Sequence, residues 1–224
     1  MLAFTLARLT APLAFATRTR TARHLFSFAL TEHESMLELR AAAALCASPE
    51  RAGLYLIHAI EEARHATTFA AHSAELRRAL GKPAYGHPRT DSESLFERLG
   101  EEGFLAFVHR GELRGRAQFQ AYSSFFEARG NVKLRAMFNA IIVDELNHES
   151  YTRRLLVEVS GGEKPALRAL RRMALREAVR RWRRAGQGLA RLVYAIGMLA
   201  LYATLLPFAL VVRLARPAHK GWRP

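Results

Sequence analysis

Two segments of the chain repeat one pattern, Glu61-Glu62-Ala63-Arg64-His65 and Asp144-Glu145-Leu146-Asn147-His148. In each, an acid precedes Glu-x-x-His. Residues i and i+3 share one face of a helix, so each pattern aims a carboxylate and an imidazole the same way. The surrounding residues decide where that face points. Leu54, His58, Glu62, His65, Phe69, His72 and Leu76 fall on one helical stripe, and Leu134, Phe138, Ile141, Glu145, His148, Thr152, Leu155 and Val159 fall on another. Carboxylates on apolar stripes are tolerated only where they are protonated, paired or neutralised by a cation.

Few turn signals interrupt the chain, and no alternating strand pattern occurs. Ser48-Pro49, Gly81-Lys82-Pro83 with Gly86-His87-Pro88, Arg129-Gly130-Asn131 and Ser160-Gly161-Gly162 leave four helical segments, 23–47, 50–80, 103–128 and 131–159. The long second connection suits a crossover between two antiparallel helix pairs, so the expectation is an all-α four-helix bundle over 23–160. Depth then selects acids on the other two helices. Glu34 and Glu62 each lie 14 residues from position 48, whereas Glu112 lies 18 before Gly130 and Glu145 lies 15 after it. The expected inward stripe of the first helix is Leu30, Glu34, Leu37, Ala41 and Leu45. That of the third is Leu105, Val108, Glu112, Gly115, Phe119, Tyr122 and Phe126. Four Glu and two His at one level of an apolar bundle call for a dinuclear metal site.

This constellation resembles the ferritin-like di-iron carboxylate superfamily, in which two helices give one Glu each and two give Glu-x-x-His. The resemblance covers 23–160. It implies Glu34, Glu62, His65, Glu112, Glu145 and His148 as metal ligands, with Glu62 and Glu145 as bridges. Asp144 and Glu61 are then expected to accept protons from ligand imidazoles across the bundle and fix their tautomers. The implied cofactor is two Fe, with Mn or a mixed pair as the alternative, and the implied co-substrate is O2 or peroxide. Tyr122 is a weaker candidate for a redox or proton-relay phenol. His58 and His72 are expected in core or supporting roles, and the Phe residues first of all in the core.

Charge separates the bundle from its flanks. The chain has 224 residues and a net charge of +14, yet residues 32–163 are net −3, while 1–31 carry +4 and 164–224 carry +13. The basicity therefore describes the ends, and nucleic acid is not an expected partner. From Leu192 to Val212 there are 21 residues without a charge, enough at about 1.5 Å per residue to cross a hydrocarbon core of about 30 Å. The expected organisation is a basic N-terminal segment (1–22, interfacial helix or targeting), the bundle (23–160), a basic amphipathic juxtamembrane helix (163–188), a transmembrane helix (189–213) and a basic tail (214–224). The Arg-rich side of the span places the bundle in the cytoplasm, or at the mitochondrial inner membrane if 1–23 is a transit peptide.

The single cysteine, Cys46, excludes a disulfide framework and a four-cysteine iron site within this chain. Electrons must therefore come from an external donor. The favoured expectation is a membrane-anchored di-iron oxidoreductase, an oxygenase or hydroxylase of a lipophilic small molecule, held against an anionic lipid membrane. Its logic is similar to that of the demethoxyubiquinone hydroxylases, and a homodimer is one expected assembly. A rubrerythrin-like peroxidase or ferroxidase and a metal-free helical membrane adaptor are the alternatives.

Overall fold

A computed structural model describes residues 2–215. It is all-helical, with six helices and no strand among the described residues: α1 (Leu2–Ala14), α2 (Arg18–Leu45), α3 (Pro49–Arg78), α4 (Leu95–Glu127), α5 (Val132–Ser160) and α6 (Glu163–Ala215). A first compact unit ends at Met173 and a second begins at Ala174.

Helices α2–α5 form the bundle, and local chemistry sets their ends. The Ser48 hydroxyl accepts from Arg51 N with Pro49 in the first turn of α3, and Asn131 accepts from Leu134 N at the start of α5. Side-chain contacts give the directions. Ser73 of α3 donates to Ala22 O of α2, Ser123 of α4 donates to Asn139 of α5, and Arg116 pairs with Glu149. Each short turn therefore joins antiparallel neighbours. Between α3 and α5 the ion pairs run from Arg51–Glu158 to Glu75–Lys133, so these two are antiparallel as well. It follows that α4 runs parallel to α3, and the connection between them must traverse the bundle.

That connection tracks α2. Tyr85 stacks on Phe26, Thr90 meets His33, and Ser92 donates to Glu38. Buried Glu38 then caps α4 from outside its own chain segment, accepting from Leu95 N at 2.8 Å and from Glu93 N. The cap is needed because Ser94 sits in the left-handed region (φ 52°) and makes no side-chain cap of its own. Gly100 (φ 69°, ψ 169°) kinks α4 after its first turn, which is why the expected start at 103 falls late.

Residues 2–22 pack against the bundle. Ala7, Ala11 and Phe15 are buried in the core, where Phe15 meets Tyr122 and Phe126 of α4 edge-on, and α2 begins at Arg18. Leu6, Leu9 and Leu13 form the opposite, exposed stripe of α1.

The basic segment 163–188 and the apolar segment 189–213 belong to one continuous helix, with Pro207 inside it. Ala166, Ala169 and Met173 bury its first turns in the core. Its apolar stretch has a mean hydropathy of 1.9 over an 18-residue window with no residue buried. It is long and apolar enough to cross a membrane. The basic tail 214–224 lies outside the described residues beyond Ala215.

Candidate metal centre

Inside the bundle the apolar stripes of α3, α4 and α5 carry their polar residues inward, as their spacing predicts. Glu62, His65, Glu112, Glu145 and His148 are all buried, with Glu62 and His148 each only 1% exposed. They gather into two groups whose ligand atoms lie within 4.8 Å of one another. One is His58, Glu62, Glu112 and His148; the other is Glu32, Glu62, His65 and Glu145. Glu62 belongs to both. Glu145 hydrogen-bonds Glu112 of the other group, which brings it to the same junction.

Helix α2 delivers Glu32 to this centre, and Glu34 is in neither group. The reason is phase. The buried positions of α2 are Thr21, Ala22, Leu25, Phe28, Ala29, Glu32, Glu38, Leu39 and Ala42, so the expected stripe through Leu30, Leu37 and Ala41 is half-buried, and Leu45 is exposed. Residues two apart on a helix point about 200° from each other, so Glu32 and Glu34 cannot face the centre together. Glu32 hydrogen-bonds Glu62 there.

An outer layer orients the imidazoles. The His65 Nε2 atom lies 3.0 Å from Asp144 Oδ2, and His148 Nε2 lies 2.7 Å from Glu61 Oε2. Each acid reaches the histidine of the other motif across the α3–α5 interface, so both rings turn Nδ1 toward the centre. Arg64 ties Asp144 to the surface at 2.7 Å. His58 hydrogen-bonds Glu62 through Nε2 at 2.9 Å and Tyr151 through Nδ1 at 2.5 Å.

The electrostatics are those of too many acids in too little water. Burial, followed by the neighbouring charge of Glu32, pushes the Glu62 carboxyl well above its ordinary range; burial and Glu112 do the same to Glu145. Burial also raises Glu32 and pushes the His58 imidazole down to about 3. Glu112 goes the other way. Burial works to raise it, but the rings of His58 and His148 outweigh that and hold it low. Burial opposes charge on His148 too, yet contact with Glu112 and Glu61 raises it. Desolvation lifts the Tyr151 phenol well above its usual value.

The donor set fits a cation. Glu62 Oε2, His65 Nδ1 and His148 Nδ1 are buried and make no hydrogen bond, whereas buried polar atoms almost always find a partner. All three belong to the two groups. Mixed imidazole and carboxylate donors suit Fe, Mn or Zn better than Ca or Mg. Space has been left as well. A Cβ on Gly115 would stand 3.1 Å from Glu145 Oε2, so glycine lets that carboxylate lie against α4.

Tyr122 belongs to neither group. It packs in the aromatic cluster of Phe15, Phe28 and Phe138, with its hydroxyl 3.4 Å from His24 Nε2. His72 is half-buried and outside both groups. Cys46 lies at the first turn beside Glu101. The contributions that the sequence reading did not assign are Glu32, His58 as a member of the first group, and Tyr151. The place of Tyr151, one turn after His148 on the same helix, was the available signal.

Comparison with family models, with curated proteins and with solved structures finds no match for this chain, so its chemistry is read from the geometry of this centre.

Proposed function

We propose that this chain is a membrane-anchored, ferritin-like non-haem oxidoreductase whose centre holds two metal ions, Fe foremost, with Mn or a mixed pair as the alternative. The observation that carries this reading is the pair of buried Glu/His groups sharing Glu62, with three unpartnered ligand atoms inside them. A reduced metal pair held there would supply electron transfer to O2 or peroxide. Glu32, Glu62, Glu112 and Glu145 provide the negative charge that holds it, and His65 and His148 present Nδ1 lone pairs. Asp144 and Glu61 accept the Nε2 protons and fix both tautomers. The aromatic layer of Phe28, Phe69, Phe119 and Phe138 keeps water from one side of the centre.

Oxygenation of a lipophilic small molecule is favoured over peroxide removal or iron oxidation. Two features support lipid contact: the exposed apolar stretch of α6, and the outward Leu6, Leu9 and Leu13 stripe of α1 beside Arg8, Arg18, Arg20 and Arg23, all exposed. An anionic bilayer complements that charge. Electrons come from a separate donor.

The test is full-length protein in lipid nanodiscs, loaded with Fe(II), reduced, and exposed to 18O2 with a lipid extract. One labelled oxygen in an extracted product supports the oxygenase. Peroxide turnover without label establishes the peroxidase alternative, and protein that binds no metal while staying folded establishes the adaptor.

A further inference from the structure

The two Glu-x-x-His helices match at their ligands and differ one turn earlier. Four residues before Glu62 on α3 stands His58, 1% exposed; four residues before Glu145 on α5 stands Ile141, 3% exposed. Positions i and i+4 share a face, so α3 presents His58, Glu62 and His65 in a row, where α5 presents an isoleucine, a glutamate and a histidine. The partner of His58 is equally one-sided. Tyr151 follows His148 by three residues and reaches His58 Nδ1 at 2.5 Å. The residue in the same place after His65 is Thr68, whose hydroxyl turns back to Arg64 O.

We propose that His58 is a third imidazole ligand of the centre, making its two metal positions chemically unlike. This rests on the dinuclear reading above and departs from its six-ligand pattern. The first position is offered nitrogen by His58 and His148 with Glu62 and Glu112; the second is offered nitrogen by His65 alone with Glu32, Glu62 and Glu145. The geometry supports it. His58 Nε2 lies 2.9 Å from Glu62 Oε1 and 3.6 Å from Glu112 Oε1, and its ring centroid is 3.7 Å from that of His148. A cation among these atoms would take over the contact between His58 and Glu62.

Tyr151 is the positioning residue. For Nε2 to offer a lone pair, the proton must sit on Nδ1, and the phenol oxygen is the acceptor there. Asp144 and Glu61 serve His65 and His148 through carboxylates; Tyr151 serves His58 through a neutral oxygen. A phenol acceptor leaves the imidazole a weaker electron donor than a carboxylate does. With two imidazoles against one, the nitrogen-rich position should still prefer a softer divalent ion, and the carboxylate-rich position a harder one.

The probe is Co(II), titrated into metal-free full-length protein in detergent. In the wild type, proton NMR of the cobalt form counts hyperfine-shifted, exchangeable imidazole N–H signals, one for each coordinated histidine. Three such signals support the proposal, and two overturn it without recourse to a variant. In parallel, His58→Gln should still bind two Co(II), with one site weakened by at least about tenfold and one N–H signal lost. Tyr151→Phe should keep all three histidines bound while shifting only one of their signals. Unchanged affinities and spectrum in His58→Gln would show that His58 merely packs beside the metals. If wild-type protein binds no cobalt, the dinuclear reading itself fails; two cobalt ions with two N–H signals remove only the role of His58.

Discussion

Glu62→Gln reverses its effect on stability when metal is added, because Glu62 has a different problem in each state. Without metal its Oε2 atom is buried and has no partner, and its carboxyl is held well above the ordinary range by burial and by Glu32. An unsatisfied buried polar atom costs about 1–3 kcal/mol. Glutamine keeps the shape, cannot ionise at any pH and turns a donor toward the carboxylates of Glu32 and Glu112. The metal-free variant should therefore be more stable than the metal-free wild type by about 1–3 kcal/mol, and melt about 2–4 °C higher for each kcal/mol. With metal the order inverts. A ligand at 100 times its Kd stabilises the state that binds it by about 2.7 kcal/mol per site. Glu62 belongs to both groups, so its loss weakens both sites. The assay is thermal unfolding followed by circular dichroism in detergent, with chelator and then with excess Fe(II) under anaerobic conditions. A metal-free Glu62→Gln protein that melts well below wild type would refute the electrostatic account. Equal stabilisation of both proteins by Fe(II) would refute the bridging role.

Other perturbations separate the centre from its scaffold. Gly115→Ala gains about 1 kcal/mol of helix propensity but places a methyl 3.1 Å from Glu145 Oε2; binding at the Glu32/His65/Glu145 position should weaken in a metal titration while helicity is retained. Glu38→Ala strips the cap from α4 and leaves the buried Leu95 N–H unpaired, which should cost about 1–3 kcal/mol in denaturant unfolding without changing metal stoichiometry. Metal affinity should rise with pH. Burial raises Glu62 and Glu145 above their ordinary value of 4.5, so these carboxyls keep protons that a cation must expel. Affinity then climbs by up to about tenfold per pH unit for each proton released, and a pH-independent Kd measured from pH 5 to 8 would contradict this.

The bundle was legible because its helices are long, their turns chemically marked and their stripes unambiguous on α3, α4 and α5. Depth and face together bring Glu62, Glu112 and Glu145 into the two buried groups, and the Glu-x-x-His spacing brings His65 and His148 with them. Helix α2 misled for a physical reason. Its buried face is built largely from Ala22, Ala29 and Ala42 between Leu25, Phe28 and Leu39, and it carries two buried acids, Glu32 and Glu38. A face of small residues and carboxylates reads as solvent-exposed, so the leucines at 30, 37 and 45 drew the stripe to the wrong side. Depth alone could not separate Glu32 from Glu34, which differ by about 3 Å along the axis. Glu38 was invisible because its partners, Ser92 to Leu95, arrive only when the crossover folds along α2. The placement of α1 was hidden in the same way. Its Ala7 and Ala11 carry little hydrophobic signal, whereas its outward leucines carry a strong one.

On the proposed reading, the acids buried in this bundle are there to hold a metal pair. Metal analysis of the purified full-length protein, with diffraction data collected on both sides of the Fe absorption edge, tests it most directly. The account predicts about two metal ions per chain, with anomalous density between Glu62 and Glu145 and within reach of His65 and His148. A folded protein that stays free of metal after anaerobic incubation with Fe(II) and Mn(II) would contradict it, and so would density at any other place.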